Sequence, residues 1–238
     1  MTHAVHRLRE QRAGQSAKPF VARGSRAPRC AHCRVQHSHC LCALRPDIET
    51  NAGMCLLMAD IEPLKPTNTG WLIADVVADT FAFSWARTQV DKGLIALRAD
   101  PQWEPMVVFP AEFVDAHRVI TEVAVQPGKR PLFILLDGTW AESCKMCRKS
   151  PYLDQLPVLS MKAEAVSRYR LRRAKNEGHL CTSQVGAMCL ALAGEKRAAE
   201  TLDAYLDVFT SHYLNAKFAL PVNFEDEAHQ KLHALAHS

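Results

Sequence analysis

The stretch Pro131-Leu132-Phe133-Ile134-Leu135-Leu136, running straight into Asp137-Gly138-Thr139-Trp140-Ala141-Glu142, decides how this chain folds. Its apolar residues follow one another without alternation, which suits a strand covered on both faces and therefore a mostly parallel sheet with helices on each side. Gly128 before it and Asp137-Gly138 after it supply the flanking turn signals. Thr139 and Glu142 stand at capping-box spacing, so a helix is expected to begin at Thr139, with Trp140, Cys144 and Cys147 on its inner face.

Working outward, Met54–Ala59 and Met106–Phe109 are further strand candidates, the second closed by Pro110. Between them Glu62-Pro63 and Lys65-Pro66 turn the chain. Thr67-Asn68-Thr69 offers N-caps for a helix expected from about Trp71 to Phe81. Downstream, Leu156–Met161 is expected to add a strand. Thr182 would cap a helix with Val185, Met188, Cys189 and Leu192 as its stripe, and a last long helix would present Leu202, Tyr205, Leu206, Phe209 and Tyr213. Strand and helix thus alternate through the body, which predicts an α/β fold.

The chain has 238 residues, enough for one substantial domain and an appendage at about 150 residues per domain. Its 48% hydrophobic and 23% charged residues exclude disorder or a fibre for the bulk. No apolar run approaches the roughly 18 residues of a membrane span, and the basic N-terminus lacks the apolar stretch of a secretory signal, so a cytoplasmic protein without a membrane partner is expected. Residues 1–29 carry seven Arg and Lys against Glu10 alone, or +6, leaving −2 on the other residues of a chain whose total is +4. This segment is expected to be a flexible basic arm, residues 30–46 a compact Cys/His knot, and residues 47–238 the α/β body.

Cys30-Ala31-His32-Cys33 followed by Cys40-Leu41-Cys42 concentrates four of the nine cysteines within thirteen positions. Four thiolates satisfy tetrahedral Zn2+ and leave no open position, so Cys30, Cys33, Cys40 and Cys42 are expected to hold a structural zinc. Cys144-Lys145-Met146-Cys147 repeats the C-x2-C spacing, but with no second pair at ligand distance it is read as packing, like Cys55, Cys181 and Cys189.

The Asp137–Trp140 turn leaves the carboxyl end of a buried strand, the edge where ligands of parallel sheets bind. Asp137 suits a base or hydrogen-bond acceptor, and Trp140 suits stacking on a nucleobase or filling the core. Lys65–Gly70 forms a polar loop ahead of a helix start that favours anions. Arg168-Tyr169-Arg170-Leu171-Arg172-Arg173-Ala174-Lys175 sets five cations and one aromatic in eight residues, a composition suited to RNA phosphates and a stacked base.

These residues together resemble the DTW-domain proteins, and among them the bacterial tRNA-uridine aminocarboxypropyltransferases. The resemblance covers Arg29 to about Leu192. It is carried by Cys30, Cys33, Cys40 and Cys42, by Lys65-Pro66-Thr67-Asn68-Thr69-Gly70, by Asp137-Gly138-Thr139-Trp140, by Tyr169-Arg170-Leu171-Arg172 and by Cys181-Thr182. Two departures stand out: Ala59-Asp60-Ile61-Glu62 replaces a His-Pro-like strand end, and Gln184 stands where the family typically has a Glu.

The resemblance implies a SPOUT-like fold with a knotted C-terminal half, and S-adenosylmethionine as co-substrate. It further implies transfer of a 3-amino-3-carboxypropyl group to N3 of a uridine in the tRNA variable loop, releasing methylthioadenosine. On that basis Asp137, Thr139 and Trp140 are the expected catalytic group, and Leu136, Gly138, Pro110, Leu159 and Thr182 are expected around S-adenosylmethionine. Lys65, Asn68, Arg168, Arg170, Arg172 and Arg173 are expected on the RNA. A SAM-dependent RNA methyltransferase and a non-catalytic zinc-containing RNA-binding module are the competing readings.

Overall fold

The computed structural model describes residues 2–17, 20–21, 27–161 and 180–237. Among the described residues six strands form one sheet in the order β2-β1-β5-β3-β6-β4: β1 Gly53–Met58, β2 Thr80–Ser84, β3 Trp103–Val108, β4 Val119–Ile120, β5 Arg130–Asp137 and β6 Val158–Leu159. Every pairing is parallel. The quoted apolar stretch is the central strand, flanked by β1 in a register that sets Met58 beside Asp137, and by β3 in one that sets Val108 beside Leu135. Burial on both faces, expected from the unalternating sequence, follows from the period of two. Met54, Leu56, Met58, Phe133 and Leu135 enter one core layer, while Cys55, Leu57, Leu132 and Ile134 enter the other.

Helices cover both faces. The first layer is packed by α1 Ala4–Gly14, α2 Gly70–Val76, α5 Thr182–Leu192, α6 Lys196–Phe218 and α7 Glu227–His237. The second receives α3 Lys92–Ala99 and α4 Trp140–Arg148. Strand β1 leads through α2 to β2 on one side, whereas β5 leads through α4 to β6 on the other. The chain therefore reverses direction across the sheet between β1 and β5, the place where a parallel sheet leaves an open crevice at its carboxyl edge.

Several expectations need correction. Residues 4–14 of the basic arm are helical: Val5 and Leu8, three apart on one face, are buried with Ala4 and His6 against the body. Two of its arginines also engage the body. Arg9 donates to the Leu64 carbonyl at 2.7 Å, and Arg12 grips both oxygens of Asp60 at 2.7 and 2.9 Å. The helix expected from Trp71 to Phe81 stops at Val76, because Thr80–Ser84 is taken by the sheet as partner of β1. Of Leu156–Met161 only Val158–Leu159 pairs, wedged between β3 and β4.

On α4 the inner face is Ser143 and Met146, with Cys144 and Cys147 half-buried and Trp140 outward. On α5 the deep face is Ser183, Gln184, Gly186, Ala187, Cys189 and Leu190, leaving Val185 and Met188 half-buried and Leu192 exposed. The long helix agrees with its expected stripe from Leu202 to Phe209. Passage from Leu159 to Thr182, on which the expected knot turns, includes residues 162–179, outside the described residues. Among the described residues no helix is long and apolar enough to cross a membrane.

One buried polar cluster fastens α1 and α2 to α6. The Asp75 carboxylate accepts a hydrogen bond from the Tyr205 hydroxyl at 3.2 Å, with Arg45 at 3.3 Å and His3 at 3.5 Å. Burial pushes the Asp75 carboxyl up to about 6 and the His3 imidazole down to about 3. At neutral pH Asp75 is thus charged beside Arg45, and His3 meets it as a neutral ring.

Candidate active site and metal centre

Beyond β1 the chain makes a tight turn. The Ala59 amide bonds the Asp137 carbonyl at 2.8 Å, and Glu62 starts a short helical turn, Glu62–Leu64. This brings the Glu62 carboxylate into the protein with 0% exposure, paired with Lys65. Lys65-Pro66-Thr67-Asn68-Thr69-Gly70 then lays Asn68 across the end of β5. The Asn68 Nδ2 amide divides its two hydrogens between Asp137 Oδ2 at 2.7 Å and Glu62 Oε1 at 3.2 Å, while its Oδ1 accepts the Trp71 amide at 3.0 Å. A β-carbon at Gly70 would lie 2.7 Å from Asp137 Oδ2, so only glycine lets helix α2 start this close to the carboxylate.

Asp137 is itself 2% exposed. Its other oxygen, Oδ1, accepts the Thr182 hydroxyl at 2.6 Å. Thr182 is positioned by the first turn of α5, where Gln184 Oε1 accepts the Cys181 amide at 3.2 Å in a capping box. A carboxamide oxygen does that work as a carboxylate would, which explains how the chain carries Gln184 in place of Glu without losing the helix start.

The crevice beside this network is a cleft of about 920 Å³. Val108, Phe109 and Pro110 at the end of β3, Leu135, Leu136 and Gly138 at the end of β5, Leu159 to Met161 at the end of β6, and Thr182, Val185 and Met188 of α5 line it. Such a volume, mostly apolar with a few convergent polar groups, suits a small-molecule ligand. All five residues expected around the cofactor, Leu136, Gly138, Pro110, Leu159 and Thr182, line this one cleft.

The residues expected to be catalytic are divided. Asp137 stands behind Thr182 and does not line the cleft. The Thr139 hydroxyl is engaged with Glu142 Oε2 at 2.7 Å as the helix cap. Trp140 does line the cleft, 38% exposed, with its ring parallel to Phe109 at 5.6 Å and edge-on to Phe113 at 5.2 Å. Phe113 is a wall residue that the sequence reading missed; it follows Pro110 in a short helical turn, Ala111–Phe113, and only its aromatic type near a strand end hinted at it.

Asn68, expected to touch RNA, is 1% exposed, because its amide is consumed in joining two carboxylates. Lys65 is half-buried on Glu62. Arg168, Arg170, Arg172 and Arg173 fall outside the described residues.

The sulfurs of Cys30, Cys33, Cys40 and Cys42 lie within 4.8 Å of one another, with Cys30 to Cys42 and Cys33 to Cys40 both at 3.6 Å. Thiolates at about 2.3 Å from Zn2+ in a tetrahedron stand about 3.8 Å apart, so the four side chains fit that ion with all its positions filled. They could hold a metal ion such as zinc. A filled thiolate set supplies folding energy and no Lewis-acid position.

The family model for the DTW domain matches residues 27–214, which include the cysteine cluster, the Lys65–Gly70 loop, the Asp137–Trp140 turn and the first turn of α5. No solved structure matches the chain.

Proposed function

We propose, because this chain belongs to the DTW-domain family and opens its Thr182 hydroxyl onto the cleft, that it is a tRNA-modifying enzyme. Its reaction is transfer of the 3-amino-3-carboxypropyl group from S-adenosylmethionine to N3 of a uridine in the tRNA variable loop. The observation that carries this reading is the 2.6 Å hydrogen bond from that hydroxyl to the otherwise buried Asp137. It gives the cleft a polar line to a carboxylate, and the cleft offers the volume for the co-substrate.

The sulfonium of S-adenosylmethionine activates three carbons, and orientation decides which one reacts. Leu136, Pro110 and Leu159 fix the bound molecule against the sheet edge so that the aminocarboxypropyl carbon faces the uracil. Uridine N3 is a weak nucleophile until its proton leaves. Thr182 takes that proton while passing its own to Asp137 Oδ1, so the carboxylate becomes neutral as N3 bonds to carbon. The carbon–sulfur bond breaks with its electron pair on sulfur, giving methylthioadenosine. A SPOUT-like fold with a knotted C-terminal half belongs to the same reading, as do RNA contacts from Lys65 and the Arg168–Arg173 run.

Trp140 and Phe113, edge-to-face at the mouth, are the platform for the base. Trp140→Ala is expected to raise KM for tRNA roughly tenfold or more, in line with the energy of one stacked base. Because the indole is already part-exposed, the loss of stability should be about 1–2 kcal/mol, below that of a fully buried aromatic. Steady-state kinetics with thermal unfolding checks both.

Incubation with S-adenosylmethionine and unmodified tRNA, followed by mass spectrometry, tests the function. Methylthioadenosine and a uridine heavier by the aminocarboxypropyl group are expected. S-adenosylhomocysteine with a methylated base would establish the methyltransferase instead, and neither product would make the chain a binding module.

A further inference from the structure

The turn that carries Cys30 and Cys33 ends on Arg34, closed by the Arg34 amide on the Cys30 carbonyl at 2.9 Å and the Cys30 amide on the Val35 carbonyl at 2.8 Å. Arg34 has φ of 65°, in the left-handed region where glycine is the unstrained choice. A long cationic side chain held there, and only 2% exposed, points to a use for that side chain.

Its guanidinium lies over the Trp71 ring at 4.3 Å and the Phe209 ring at 5.3 Å. Nη1 donates to the Asn68 carbonyl at 2.6 Å and sits 3.4 Å from the Pro66 carbonyl. Asn68 is the residue whose side chain joins Asp137 to Glu62 and caps the Trp71 amide. The Arg34 guanidinium is therefore one hydrogen bond from the main chain of the residue that orients the carboxylate.

We propose that Arg34 is a positioning residue for Asp137, transmitting the geometry of the cysteine cluster to the carboxylate through Asn68. Arg34 fixes the Asn68 backbone against Trp71, and the Asn68 amide then sets the angle of Asp137 Oδ2, leaving Oδ1 turned to Thr182. The role in turnover rests on the function proposed above; the positioning itself does not. Both carbonyls are reached by Nη1 alone, and a lysine ammonium, which ends one bond short of that nitrogen, keeps the charge and the ring contact but does not meet the Asn68 carbonyl in the same geometry.

The test compares wild type with Arg34→Lys and, should that variant not fold, Arg34→Gln, whose neutral amide ends two bonds short of Nη1. Zinc content, melting temperature, kcat and KM for S-adenosylmethionine are measured, together with amide hydrogen exchange. The expected result is unchanged zinc and KM, a kcat lower by roughly ten- to a hundredfold from misplacement of the carboxylate, and faster exchange at the Trp71 amide with β5 unaffected. Arg34→Gln should lose at least as much, since its neutral amide reaches neither loop carbonyl and gives up the cation on the Trp71 ring.

A wild-type kcat, or Trp71 exchange that does not change, would overturn the proposal. So would zinc loss with faster exchange throughout β5, which marks a merely structural residue. Should wild type itself transfer no aminocarboxypropyl group, the functional reading falls, and exchange at Trp71 alone decides whether Arg34 positions the loop.

Discussion

Asp137→Asn is expected to leave S-adenosylmethionine and tRNA binding within about twofold of wild type and to lower kcat by roughly 10²–10⁴, the range of a lost general base. The structure explains why the variant should fold. Asn68 can still donate to the new carboxamide oxygen, and the Thr182 hydroxyl, now a donor to Oδ1 at 2.6 Å, can rotate to accept from the new NH2. That rotation removes the path for the uridine proton. Transfer by Asp137→Asn should then rise with pH as uridine N3 ionises by itself, and the gap from wild type should narrow. Parallel pH profiles without narrowing would leave Asp137 as an orienting group only, and would move the search for the base to Glu62, the other carboxylate on Asn68.

Cys33→Ser is expected to have an equally large effect on stability. Four sulfurs within 4.8 Å of one another are arranged for an ion, and apparent binding energies of structural zinc sites of about 10–16 kcal/mol are folding energy. A hydroxyl is a poor replacement for a thiolate ligand. We expect one zinc per wild-type chain and loss of stoichiometric zinc in the variant. The N-terminal segment should loosen, with faster proteolysis near residues 27–45. Metal analysis of protein purified without chelator decides this, and a metal-free wild type that melts at the same temperature would refute it.

What was legible in the sequence follows from how local each signal is. The central strand, the Thr139 cap and the four cysteines are each encoded within thirteen residues or fewer, and the structure has them where the sequence implies. The sides that helices α4 and α5 turn inward were not legible. Trp140, Val185 and Met188 look like core on a helical wheel, yet a helix facing a cleft keeps apolar side chains on its cleft side as well, so periodicity cannot tell the two faces apart.

The arm misled for a related reason. Its composition is basic and polar, and only the Val5 and Leu8 pair announces a docked face. Arg9 and Arg12 find their acceptors at Leu64 and Asp60, more than forty positions away in the chain. For Asn68 the resemblance implies a contact with RNA, whereas two carboxylates brought together by the sheet give it a buried use.

The cysteine cluster is bound from the far end of the chain: the His39 ring meets the Leu220 carbonyl at 2.8 Å, and His212 Nδ1 meets the His39 carbonyl at 2.8 Å. At translation rates of about 5–20 residues per second, roughly ten seconds or more separate synthesis of these cysteines from synthesis of their packing partner. Strand β5 must likewise slot between β1 and β3, both made before it. A nascent chain would thus carry four unshielded thiols beside two unpaired strand edges, a state open to oxidation and misassembly. Early capture of the metal would shorten that exposure, which gives the ion a role in the yield of folded protein as well as in its final stability.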